Sequence, residues 1–136
     1  MNSEARDAVL AALASFAQAK AAMEETFRVR SAAEVVSAVL RGRMPREGHC
    51  LNGLEYFVHG IGYTVVTASG GQVHFDSGDE VSTDVFSVHD IRAFLETSGY
   101  EYVPTIEDVR DALSQLELLG KVRRYGRRFA ILRIDS

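Results

Sequence analysis

The stretch that most constrains this chain is 54–76, LEYFVHGIGYTVVTASGGQVHFD. β-Branched and aromatic residues dominate it, and such side chains suit a pleated, half-buried surface. Two glycine-bearing breaks divide it, His59-Gly60-Ile61-Gly62 and Gly70-Gly71. Glycine accepts backbone angles that other residues avoid, so each break can redirect the chain. The pattern predicts a strand over 54–58, a bend or bulge at 59–62, and a hairpin of 63–68 against 72–76. With Gly70-Gly71 as a two-residue turn, Ser69 faces Gln72, Ala68 faces Val73, Thr67 faces His74, Val66 faces Phe75 and Val65 faces Asp76. Ala68, Val73, Val66 and Phe75 are then expected inside, and Thr67, His74, Val65 and Asp76 outside. Slipping this register by one would exchange the faces, so the pairing is a sharp expectation.

The flanking segments read as helices. Val9, Leu13, Phe16, Met23 and Phe27 form one stripe of a helix over 3–27. Lys20 occupies the vacant place in that stripe, with its ammonium expected to reach past the seam to water. Ser31-Ala-Ala-Glu34 has the form of a capping box and opens a second helix over 31–42. A short strand is expected over 81–86. Ser87-Val-His-Asp90 and Thr105-Ile-Glu-Asp108 then open helices over 88–98 and 105–119, closed by Gly99 and Gly120. Lys121–Tyr125 and Arg128–Ile134 make a final hairpin across Gly126-Arg127. The expected fold class is α+β. An N-terminal helical hairpin packs on a small antiparallel sheet built from 54–86, followed by two further helices and a C-terminal β-hairpin. One domain over 1–136 is expected, with a helical part 3–42, a β-rich core 50–86 and a helix-helix-hairpin 88–134.

Charge and cysteine usage narrow the function classes. No run of about 18 apolar residues suits a membrane span. The start, Met-Asn-Ser-Glu-Ala-Arg-Asp, lacks the basic and apolar regions of a secretory signal. Cys50 is the single cysteine, which excludes an internal disulfide framework. A cytoplasmic protein with no membrane association is therefore expected. The net charge of −4 opposes wholesale phosphate binding, but its distribution is uneven. Asp76, Asp79, Glu80, Asp84 and Asp90 follow one another with no Lys or Arg between them. Lys121 to Arg133 holds six basic residues and no acid.

Several groups have the right chemistry for a site. His49, Cys50, His59, His74 and Asp76 are metal-ligand types, but they lack the close pairing of structural zinc sites. No metal and no cofactor is expected. Whether His49, Cys50, His59 and His74 converge is not legible from their spacing. Cys50 with a histidine could be written as a dyad. His74 and Asp76 share a strand face, as an acid–base pair or as a polar binding surface. Dinucleotide, Walker and nucleophile-elbow motifs are absent, so an enzyme is not expected. The helix 105–119 with its basic hairpin looks like the end of a winged-helix domain, with Arg123, Arg124, Arg127 and Arg128 on phosphates. Against that, Glu107, Asp108, Asp111 and Glu117 make the helix acidic, and phosphate would repel it. The other reading is protein binding. His74, Asp76, Asp79, Glu80 and Asp84 would form a carboxylate-rich face that steers and orients a basic partner.

Three pieces then carry a resemblance: Tyr56-Phe-Val-His-Gly-Ile-Gly-Tyr-Thr-Val65, Val73-His-Phe-Asp76, and Asp84-Val-Phe86 before a helix containing Phe94. Together they resemble an uncharacterised bacterial domain associated with immunity proteins of polymorphic-toxin and contact-dependent secretion systems. The resemblance lies within 54–94. It implies a small cytosolic protein that binds a cognate toxin and blocks it, and it carries over no catalytic residue. The C-terminal helix and hairpin depart from that domain's expected form.

Overall fold

Helix α1 (Ser3–Phe27) buries Val9, Leu13, Phe16 and Met23 on one stripe, with Ala5, Ala12, Ala19 and Ala22 beside them. The computed structural model describes residues 3–77 and 84–132. After α1, Ser31 caps α2 (Ala32–Leu40) by accepting the Glu34 N–H at 3.2 Å. The Glu34 carboxylate returns a bond to the N–H of Arg30, one residue before the cap, at 3.0 Å. The box is thus displaced by one residue from its usual reciprocal form.

Among the described residues seven strands follow: β1 (Glu47–His49), β2 (Glu55–His59), β3 (Gly62–Val66), β4 (Gln72–Ser77), β5 (Asp84–Ser87), β6 (Val122–Tyr125) and β7 (Arg128–Ile131). They form a single sheet in the order β1-β2-β3-β4-β5-β7-β6, every neighbouring pair antiparallel. The fold is α+β as expected, with a larger sheet. β1 precedes the 54–86 stretch from which the sheet is expected, and the C-terminal hairpin joins the sheet through β5 and β7. His59 pairs with Gly62, so the expected bend is a two-residue turn through Gly60-Ile61.

The β3–β4 register differs from expectation. Val66 pairs with Gln72, Val65 with Val73, Thr64 with His74, Tyr63 with Phe75 and Gly62 with Asp76. This is three places from the predicted pairing, an odd number, so the faces of β3 are exchanged. Tyr63 and Val65 point inward with Val73 and Phe75, and Thr64 points outward with His74. The cause is the turn. Thr67 donates its N–H to Gly71 O at 2.9 Å and Gly70 returns one to Thr67 O at 2.9 Å. The turn therefore spans Thr67–Gly71, and Ala68 and Ser69 are exposed within it.

β5 stays with β4 only over Asp84 and Val85, then crosses to β7 through Phe86 and Ser87. Helix α3 (Val88–Thr97) starts at this split. Ser87 accepts the Asp90 N–H at 3.1 Å and Asp90 accepts the Ser87 N–H at 2.8 Å, the expected reciprocal cap. Thr97 near its end accepts the Gln72 N–H at 3.1 Å, which satisfies a donor that β5 has abandoned. Helix α4 (Ile106–Leu118) opens on Thr105 and buries Val109, Ala112, Leu113 and Leu116. The core meets at Phe16, whose ring lies edge-on to Phe75, Phe86 and Phe94 at 5.8, 5.3 and 5.7 Å. Edge-to-face pairs of this kind add about 0.5–1.5 kcal/mol each beyond the area they bury.

Candidate functional site: the outer face of the sheet

The alternation along β2 sets the site. Tyr56 and Val58 are buried in the core, so Glu55, Phe57 and His59 point away from the helices. β3 adds Gly62, Thr64 and Val66 to this outer face, and β4 adds Gln72, His74 and Asp76. Phe57 leaves 37% of its surface exposed there, and Ile61, in the turn that joins β2 to β3, leaves 56% exposed.

Thr64 sits at the centre and is fully buried although it lies on the outer face. Its hydroxyl is 2.6 Å from His59 Nε2 and 2.7 Å from His74 Nδ1. The two rings lie 6.2 Å apart at 75°. A hydroxyl has one proton to give, so Thr64 donates to one imidazole and accepts from the other. The tautomers of the two histidines are therefore tied together. His59 Nδ1 and His74 Nε2 are left without a hydrogen bond among the described residues, one as donor and the other as acceptor when both rings are neutral. This gives a preorganised pair of polar contacts beside the Phe57 ring, which stands 6.4 Å from His59.

The acidic residues divide. Asp76 borders this face and lies 3.8 Å from Arg128, which also donates to Ser77 O at 3.2 Å. Both side chains of that pair are partly exposed, so it contributes little to stability. Asp90 is held in its helix cap. Burial raises its pKa, while the Ser87 N–H and the His74 charge oppose that rise. Asp84 is not on the outer face. It is buried on the inner side, where the Tyr63 hydroxyl donates to it at 3.3 Å. Its other oxygen has no hydrogen-bond partner among the described residues. Desolvation pushes its pKa up to about 6, against the Lys20 charge and the Ala32 N–H. The expectation that Asp84 meets a partner is thus corrected, because its carboxylate is inaccessible. Asp79 and Glu80 lie outside the described residues.

The other candidates scatter. His49 pairs with Glu55 at 3.6 Å on the β1 edge. Cys50 is buried, its thiol donating to Leu54 O at 3.3 Å, and burial raises its pKa, which disfavours the nucleophilic thiolate. Of the four histidine and cysteine candidates only His59 and His74 converge. Among the described residues no three His, Cys, Asp or Glu side chains are grouped to hold a metal. The basic hairpin is built into the sheet. Arg124 bonds Glu117 at 3.2 Å and Ser114 at 3.3 Å and lies over the Phe129 ring at 4.7 Å. Arg128 is engaged as above, Arg123 lies over Tyr125 at 5.3 Å, and Arg127 is exposed at the turn.

Sequence reasoning passed over Thr64, Phe57 and Ile61. The signal for Phe57 was present, since strict alternation over 55–59 puts it on the side of His59. Thr64 needed the true register.

Residues 9–132, which run from the first turns of α1 to just past β7, match the family described as a domain of unknown function (DUF6896), and the chain belongs to that family. No curated protein and no solved structure matches it. No helix among the described residues is long and apolar enough to cross a membrane.

Proposed function

We propose that the protein is a stoichiometric binding protein of the immunity type, which docks through the outer sheet face on a bacterial toxin and occludes its active surface. The observation that carries this reading is the exposure of Phe57 beside the His59–Thr64–His74 chain, with Ile61 exposed in the adjoining turn. Apolar anchors flanked by fixed polar groups are what protein interfaces concentrate their energy in. Glu47, Glu55 and Asp76 border the anchors and suit a toxin surface made basic for its own substrate. Asp79 and Glu80, next along the chain from Ser77, extend the acidic character by sequence. The work is binding, with no bond made or broken. Nucleic-acid binding by the hairpin is the weaker reading, because Arg124 and Arg128 already have partners within the chain.

The test is co-expression with the toxic C-terminal domain of a secreted protein encoded beside this gene. The native chain is expected to restore growth and to form a complex with one copy of each protein. Phe57→Ala is expected to weaken the complex by about 2 kcal/mol, roughly thirtyfold in Kd, with the fold unchanged by circular dichroism. Reversing Asp79 and Glu80 to Lys is expected to slow association while leaving dissociation nearly unchanged. Native affinity in Phe57→Ala would remove the outer face from the interface, and failure of the native chain to protect would remove the immunity role.

A further inference from the structure

The corner between α1 and α2 concentrates positive charge in a chain that is negative overall. Arg28, Arg30, Arg41, Arg43 and Arg46 fall within one short segment there, against the single acid Glu34. Local backbone geometry draws three of them together. Arg28 has a left-handed φ of 56° and turns the chain out of α1, while Gly42 at 72° turns it out of α2. Arg28, Arg41 and Arg43 consequently line one cavity of about 310 Å³, whose apolar floor includes the buried Val29 and Met44. Ser37 and Glu34 lie in the same wall.

Among the described residues, none of these three guanidinium groups has an ion pair or a hydrogen bond. Three arginines outside this corner are held by acids, Arg92 by Glu96, Arg124 by Glu117 and Arg128 by Asp76. The helix dipole accounts for a cation at a helix C-terminus. It does not account for three unpaired cations around one concavity, where their mutual repulsion opposes folding unless an anion offsets it. Guanidinium forks match phosphate oxygens in pairs.

We propose that this corner binds a small phosphorylated ligand. Arg28, Arg41 and Arg43 take the phosphate oxygens. Ser37 offers a neutral donor, and the free oxygen of Glu34 offers an acceptor to a hydroxyl or amino group on the organic part. A bare polyanion is disfavoured by Glu34, and the cavity stands at the small end of ligand pockets, which fits a molecule of nucleotide or sugar-phosphate size. No residue of the outer sheet face takes part, so the site stands independently of the docking function.

Titration calorimetry on the full chain, with ADP, ribose 5-phosphate and inorganic pyrophosphate as probes, tests the site. At least one organic phosphate is expected to bind below millimolar Kd and more tightly than pyrophosphate. Arg41→Ala and Arg43→Ala are each expected to weaken it roughly tenfold. Both positions are exposed, so the unliganded thermal midpoints should match the native chain. Arg110→Ala on α4 should bind as the native chain does. The proposal is overturned if no probe binds at millimolar concentration, or if the Arg41→Ala/Arg43→Ala double variant binds normally. Pyrophosphate binding as tightly as the organic phosphates, or a short single-stranded oligonucleotide binding where the small probes do not, would overturn it too.

Discussion

Gly62→Ala is expected to cost about 3 kcal/mol or more, whereas Gly60→Asn, two residues away, should cost well under about 1 kcal/mol. The two glycines of the His-Gly-Ile-Gly turn are needed for different reasons. Gly60 has a φ of 54° and open space around it. Its requirement is conformational, and asparagine visits the left-handed region readily. Gly62 has no such φ. A Cβ there would overlap the Phe75 carbonyl oxygen and the Asp76 side chain and Cα. The carbonyl belongs to the partner strand and cannot yield without opening the β3–β4 ladder. In a domain of this size the cost corresponds to a fall in Tm of roughly 10 °C. Separating β3 from β4 would also draw Thr64 away from His74, so partner binding should weaken beyond what the lost stability explains. Urea unfolding of Gly62→Ala, Gly60→Ala and Gly60→Asn checks the argument. Equal losses for the two alanine variants would show that space at Gly62 is not limiting.

This difference between neighbouring glycines shows what the sequence could and could not convey. Local signals were legible: the helix stripes, the Ser87–Asp90 cap, the Thr105 cap and the turn at Gly126-Arg127 all depend on residues close in the chain. The β3–β4 register was not legible, because Gly70-Gly71 looks like a hairpin turn in isolation. Gly71 is glycine for a distant reason, since a Cβ there would strike Phe94 of α3 and Ser98, the residue that caps its C-terminal end. The joining of the C-terminal hairpin to the sheet likewise depends on β5 meeting β7 across two intervening helices. The acidic run misled in the same way. Proximity in sequence grouped Asp84 with Asp76, but alternation along β5 and its neighbours places one inside and the other at the surface. Lys20, the apparent gap in the α1 stripe, is half-buried and acts on that interior carboxylate.

Asp84→Asn is expected to abolish most of a stability loss that the native protein suffers between about pH 4 and pH 7. The carboxyl rises from 3.8 to about 6 on folding, with burial as the main cause. The folded state therefore holds this proton where the unfolded chain has released it. Its contribution is fully present below the unfolded pKa and is lost as pH rises through about 6. At about 1.36 kcal/mol per pKa unit the loss is about 3 kcal/mol. Asp90, also raised, adds a contribution of the same sign. The groups facing Asp84 are Lys20 and Glu24 on α1, the Ala32 N–H at the start of α2 and Tyr63 on β3. Asparagine keeps an acceptor for Tyr63 and the Ala32 N–H, and it removes the charge. Its amide nitrogen takes the place of the unpartnered oxygen and costs about 1–2 kcal/mol there, leaving a net gain of about 1–2 kcal/mol near pH 8. Urea unfolding across this pH range checks both parts. A flat native profile, or a variant that keeps the native slope, would show that Asp84 does not titrate as described. The buried carboxylate also ties β5 to β3 through the Tyr63 hydroxyl and faces the first turn of α2. The same helix carries Arg41 at its far end, so the variant should leave ligand binding at the α1–α2 corner intact only if α2 keeps its place without that charge.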